Sequence, residues 1–118
     1  MSFQEYIHSV IAEYAPVLRL QHFTFEVEKV EKKYMECHFC YPYLSATVRY
    51  GEEAEKDYDH GKPMAHIIVH ELCHLITDPL YSRAFDRFTT ESALEDERER
   101  VTDHVAKVVF ALYKKCWV

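Results

Sequence analysis

In Ile67-Ile68-Val69-His70-Glu71-Leu72-Cys73-His74-Leu75-Ile76 two patterns are superimposed. At 100° per residue, Ala65, Ile68, Val69, Leu72, Leu75 and Ile76 fall on one side of a helix. His70 and His74 stand together on the other side, with Glu71 flanking them. A helix written this way rests its apolar back on a core and turns its imidazoles towards a cleft. Residues four apart are neighbours on a helix surface, so the two rings can share one metal ion and Glu71 can reach a metal-bound water. Zinc takes neutral imidazole nitrogens, and a vacant fourth position leaves room for that water.

Outward from this helix, the periodicity changes. Phe3, Tyr6, Ile7, Val10, Ile11 and Tyr14 recur at helical spacing, and Pro16 closes that segment. Alternation then sets in between residues 17 and 30, clearest in Phe23-Thr24-Phe25-Glu26-Val27, which predicts a half-buried strand. Residues 34–41 and 45–50 read as two further strands joined around Pro42. Gly51 and the acidic segment to Lys62 read as a loop. Pro63 suits the first turn of the motif helix, which is expected to run to about Ile76 and stop before Pro79. After a connection over 80–88, Thr89 or Thr90 can cap a long final helix whose first turns, Glu91 to Glu97, complement its positive end. Val101, Val105, Val108, Val109 and Leu112 share a face of that helix. The expected fold is α+β: one domain over 1–118, with an N-terminal helix, a small three-stranded and mostly antiparallel sheet, the motif helix packed on it, and a long C-terminal helix.

Composition sets limits on function. The chain has 118 residues, enough for one core but not for the second lobe of large peptidases. Its formal charge of -6 and lack of a basic patch argue against nucleic acid as a partner. No apolar run approaches the ~18 residues that span a membrane, and the N-terminus lacks the pattern of a signal peptide. A cytoplasmic setting is the expectation, with Cys37, Cys40, Cys73 and Cys116 as reduced thiols. Cys37-His38-Phe39-Cys40 has a zinc-ribbon spacing but no second cysteine pair to complete four ligands.

Two histidines bind zinc weakly, so a third protein ligand is required. The final helix offers Glu99, with Asp103 one turn further on. Glu99 can lean towards the motif helix, and Asp103 can accept the outer N–H of a zinc-bound histidine and fix its orientation. Glu95, one turn before Glu99, is the rival. His66 extends the His70–His74 stripe, but three imidazoles on one straight helix face do not converge on a tetrahedral ion. His104 falls on the outer side of the final helix, while Asp59 and His60 fall in the acidic segment.

His-Glu-x-x-His followed by a downstream glutamate and an acid four residues later resembles the gluzincin metallopeptidases. Glu99-Arg100-Val101-Thr102-Asp103-His104-Val105-Ala106 is similar to the third-ligand helix of the small peptidases that cleave phage repressors. The likeness covers residues 63 to about 112 and extends to compact phage-encoded metallopeptidase-like proteins. Thr102 stands where that pattern carries a small Ala or Ser, and no DNA-binding region accompanies the motif, so repressor cleavage does not carry over. The resemblance implies a minimal zincin-like domain binding Zn2+ through His70, His74 and Glu99. Glu71 would serve as general base, Asp103 would support a ligand, and a peptide or protein would be the substrate. Tyr81 and His66 are nearby candidates for stabilising the oxyanion, and Ser45 to Tyr50 is a candidate edge for binding an extended peptide by strand addition. The alternative is a non-catalytic or structural metal site in a small phage protein that acts through a protein partner.

Overall fold

The computed structural model describes residues 1–40, 44–85 and 90–117, with side chains for all of these except 40, 80–85 and 115–117. The elements run α1 (Phe3–Val17), β1 (Thr24–Lys29), β2 (Met35–Cys40), β3 (Ser45–Tyr50), α2 (Glu52–Asp59), α3 (Ala65–Phe85) and α4 (Glu91–Trp117). This is the expected α+β arrangement, with four differences in detail.

α1 starts where its sequence says it should. Ser2 Oγ accepts the Glu5 N–H and Glu5 Oε1 accepts the Ser2 N–H, each at 3.1 Å, a reciprocal capping box. Its buried face is Phe3, Ile7, Val10, Ile11, Tyr14 and Ala15. The sheet order is β1-β3-β2, with β3 parallel to β1 and antiparallel to β2. One of the two pairings is thus parallel, where a mostly antiparallel sheet was expected. Placing β3 in the centre suits its sequence, because Ala46, Val48 and Tyr50 alternate on the buried face. Val27 and Cys37 both pair with Val48, which puts them on the same face as that buried valine.

The second difference is α2, a helix where an acidic loop was expected. Glu52, Glu53 and Glu55 fill its first turn and complement the positive end of the helix. The fully buried Ala54 seats it, and Tyr58 stacks on Phe3 at 5.1 Å. Gly51 precedes it with no room for a side chain: a Cβ there would lie 1.7 Å from the Lys33 carbonyl oxygen. The acidic run is therefore a helix surface rather than a turn.

Third, α3 does not stop before Pro79 but continues through it to Phe85. A proline inside a helix forfeits one backbone hydrogen bond, and packing of the preceding turns outweighs that loss. Ile68, Val69, Leu72, Cys73 and Leu75 are buried against the rest of the core. Ile76, expected on the same face, is exposed. The expected junction around Pro42 and the cap at Thr89 lie outside the described residues. Thr90 does cap α4, its Oγ1 accepting the Ala93 N–H at 3.3 Å.

Fourth, the valine face of α4 is split. Thr102 and Ala106 are the buried residues among the described side chains of this helix, while Val105 and Val109 are half-buried and Val101, Val108 and Leu112 are exposed. The cause is polar. Turning Glu99 and Asp103 towards the imidazoles of α3 brings Thr102 to the helix contact, where its hydroxyl meets Thr77 Oγ1 at 2.7 Å. Tyr14 of α1 stacks on Phe110 and packs against Tyr113, fixing the distal half. Among the described residues no helix is long and apolar enough to cross a membrane.

Candidate metal centre

The site is built where α3 and α4 cross. Because α3 commits its apolar back to the core, His70 and His74 face α4, while Glu71 also lies near Glu36 and Cys37 of β2. The two rings have centroids 5.1 Å apart and planes at 77°. Glu99 reaches across from α4 so that its Oε2 lies 3.0 Å from His74 Nε2 and 3.8 Å from His70 Nε2. For comparison, a tetrahedral zinc ion with bonds of about 2.0–2.1 Å sets its donor atoms roughly 3.3–3.4 Å apart. The observed separations bracket that value.

A second carboxylate, Glu71, lies near the same imidazoles. Donor atoms of His70, Glu71 and His74 all lie within 4.8 Å of one another, and Glu71 Oε2 is 3.9 Å from His70 Nε2. Glu99 fits the ligand role better, because one of its oxygens approaches both imidazoles. Glu95 is exposed and, among the described residues, makes no such approach to either histidine.

Each imidazole turns its other nitrogen to a carboxylate. His70 Nδ1 lies 3.4 Å from Asp103 Oδ1, and His74 Nδ1 lies 2.9 Å from Asp78 Oδ1. Such partners orient metal-binding histidines so that Nε2 faces the ion. Asp103 was expected from sequence; Asp78 was missed. Its signal was available, since it stands four residues after His74 on the same helix, but the expectation that the helix ended before Pro79 hid it. Arg98 Nε lies 3.9 Å from Asp78 Oδ1, and Lys107 Nζ lies 2.8 Å from Asp103 Oδ2.

The electrostatics follow from crowding four acids around two bases. Burial is the main force on Glu71, whose carboxyl is pushed up to about 7; Glu99, Asp78 and Glu36 add to the rise and His74 opposes it. For His74, burial pulls the pKa down, but the Asp78 hydrogen bond and the charges of Asp78, Glu99 and Glu71 outweigh it and raise the value. Asp103 is held below the usual carboxylate range chiefly by its hydrogen bond to Lys107. Cys37, on the sheet beneath, is pushed up to about 12, first by burial and then by Glu71 and Asp78. Cys73 is raised to about 12 by burial alone. Both are neutral thiols at ordinary pH and poor metal ligands as they stand.

The other candidates fall away from this cluster. His66, His60, Asp59 and His104 are exposed. Tyr81 lies within α3, but its side chain is outside the described residues, as are those of Cys40 and Cys116. Ser45–Tyr50 is paired on both sides and has no free edge for a peptide, which overturns the strand-addition expectation at that strand. Comparisons with protein-family models, with curated proteins and with solved structures give no match.

Proposed function

We propose that this protein is a zinc-dependent metallopeptidase in which His70, His74 and Glu99 hold the ion and Glu71 is the general base. The observation that carries the reading is the approach of one Glu99 oxygen from α4 to within 3.0 and 3.8 Å of the two imidazole nitrogens of α3. Two imidazoles and a carboxylate are a donor set that suits catalytic zinc and leaves a coordination position over. When bound, zinc polarises a carbonyl and lowers the pKa of water towards ~7. Glu71 takes the proton from the attacking water and delivers it to the leaving nitrogen as the C–N bond breaks. Asp103 keeps the His70 ring aimed. A peptide lying along the site meets β2, an outer strand of the sheet that packs against α3.

Reduced thiols at Cys37 and Cys73 fit a cytoplasmic setting. The zinc-loaded protein should cleave peptides, and Glu71→Gln should lower kcat by about 10²–10⁴-fold while retaining one equivalent of zinc. Full activity in zinc-replete Glu71→Gln protein would refute the assignment.

A second reading, a structural metal site in a protein that acts by binding a partner, draws support from one observation. Val101, Val108 and Leu112 leave an apolar stripe of α4 exposed. A hydroxamate inhibitor separates the two readings, because it binds zinc only where a coordination position is free.

A further inference from the structure

Of the carboxylates around the imidazole pair, Asp78 is the one to which neither the motif nor the downstream helix assigns a part. Its contact is the shortest that either imidazole makes with a carboxylate, 2.9 Å from Oδ1 to His74 Nδ1. Both side chains are withdrawn from water, at 8% exposure for His74 and 16% for Asp78. The pair is also independent of α4. Four residues apart on α3, the two side chains meet one turn above each other, so the contact forms whenever the helix forms. α4 then adds Arg98, whose Nε comes within 3.9 Å of the same Asp78 oxygen and places a positive charge behind it.

His70 is held differently. Its carboxylate, Asp103, is on the opposite helix, lies at 3.4 Å, is 43% exposed and is shared with Lys107 at 2.8 Å. One imidazole is therefore oriented by its own helix within a dry contact. The other is oriented across a helix interface open to solvent.

We propose that Asp78 is a positioning residue for His74: it accepts the Nδ1–H and so commits Nε2 to a divalent cation of the zinc type beside Glu99. The inference rests on the metal-site reading above and deepens it. Asp78 touches neither the ion nor a substrate; it acts through the ring it holds. Because its contact is shorter and drier than that of Asp103, its loss should cost more.

Zinc affinity by competition against a chromogenic chelator, on the full chain, compares wild type with Asp78→Ala, Asp78→Asn and Asp103→Ala. Outer partners of this kind are worth 10–100-fold in metal affinity. Asp78→Ala should weaken binding about 10–100-fold. Asp78→Asn, which keeps an acceptor oxygen, should recover part of that loss, and Asp103→Ala should fall short of it. A second readout needs no metal: ¹H–¹⁵N spectra of metal-free wild type at pH 7 should show a proton on His74 Nδ1 protected from exchange, absent in Asp78→Ala. Circular dichroism verifies that each variant is folded, and Asp78→Asn serves if the alanine variant is not. Zinc binding in folded Asp78→Ala equal to wild type, or no proton on His74 Nδ1 in wild type, would overturn the role of Asp78 while leaving the metal site intact. Failure of wild type to bind one equivalent of zinc would overturn the metal-site reading, whatever the spectra show.

Discussion

α3 and α4 supply opposite sides of one site from unlike physical situations. The imidazoles sit on a helix whose back is buried at Ile68, Val69 and Leu72, and His74 itself is nearly inaccessible. Glu99 and Asp103 project from a helix that, among its described side chains, buries only Thr102 and Ala106, and Glu99 is 50% exposed. The nitrogen donors are thus fixed by the core, while the carboxylates depend on how one lightly seated helix docks. The imidazoles of the cluster are placed by α3, and Glu99 and Asp103 by how α4 docks.

Core truncation should expose that contrast most sharply. Leu72→Ala removes a fully buried side chain from α3 and should cost roughly 2–5 kcal/mol of stability, read from urea midpoints. Leu112→Ala, at 57% exposure on α4, should stay within about 0.5 kcal/mol. Equal losses would dissolve the distinction between the helices.

Alkaline pH should act on the anchor of α4. Tyr14 packs between Phe110 and Tyr113, and burial first, with Glu13 and Tyr113 adding, pushes its phenol from 10 to about 12. A folded-state value above the unfolded one means the neutral form is the one the fold favours. That contribution is intact below pH 10 and is lost as pH rises towards 12, amounting to at most roughly 2–3 kcal/mol. Among the described residues the Tyr14 hydroxyl is also buried without a hydrogen-bond partner. Tyr14→Phe should therefore be neutral or stabilising at pH 7 and should lose less stability than wild type between pH 9 and 11.5. A Tyr14→Phe protein as base-sensitive as wild type would contradict this.

The smallest effect expected is at the helix contact itself. Thr102→Val keeps the shape but removes the 2.7 Å hydrogen bond to Thr77, at a cost of about 1 kcal/mol. Hydrogen exchange should rise in α4 before it rises in α3. The reverse order would mean that α4, not α3, is the firmer half.

What could be read in the sequence follows the same division. His70, Glu71 and His74 were legible as one cluster because local periodicity places them, and the structure brings their donor atoms within 4.8 Å of one another. Glu99 and Asp103 were legible only as a pair one turn apart; nothing in one sequence distinguishes a glutamate aimed at a cleft from one aimed at water. Asp78 was hidden by Pro79, since a proline ordinarily ends a helix and here the buried turns before it carry the helix through. The central place of β3 and the parallel β1–β3 pairing depend on contacts between distant segments, which alternation along a strand does not encode. The valine stripe of α4 misled for a related reason: the residues this helix buries are Thr102, bonded to Thr77, and Ala106 among its described side chains, not the most apolar ones.

X-ray absorption at the zinc edge of the loaded protein tests the central claim most directly. Two imidazole nitrogens and oxygen donors at about 2.0–2.2 Å, with the oxygen shell changing when a hydroxamate is added, are what convergence of His70, His74 and Glu99 requires. A sulfur scatterer at about 2.3 Å, or a shell indifferent to hydroxamate, would mean that the ion is held elsewhere or is closed off from chemistry.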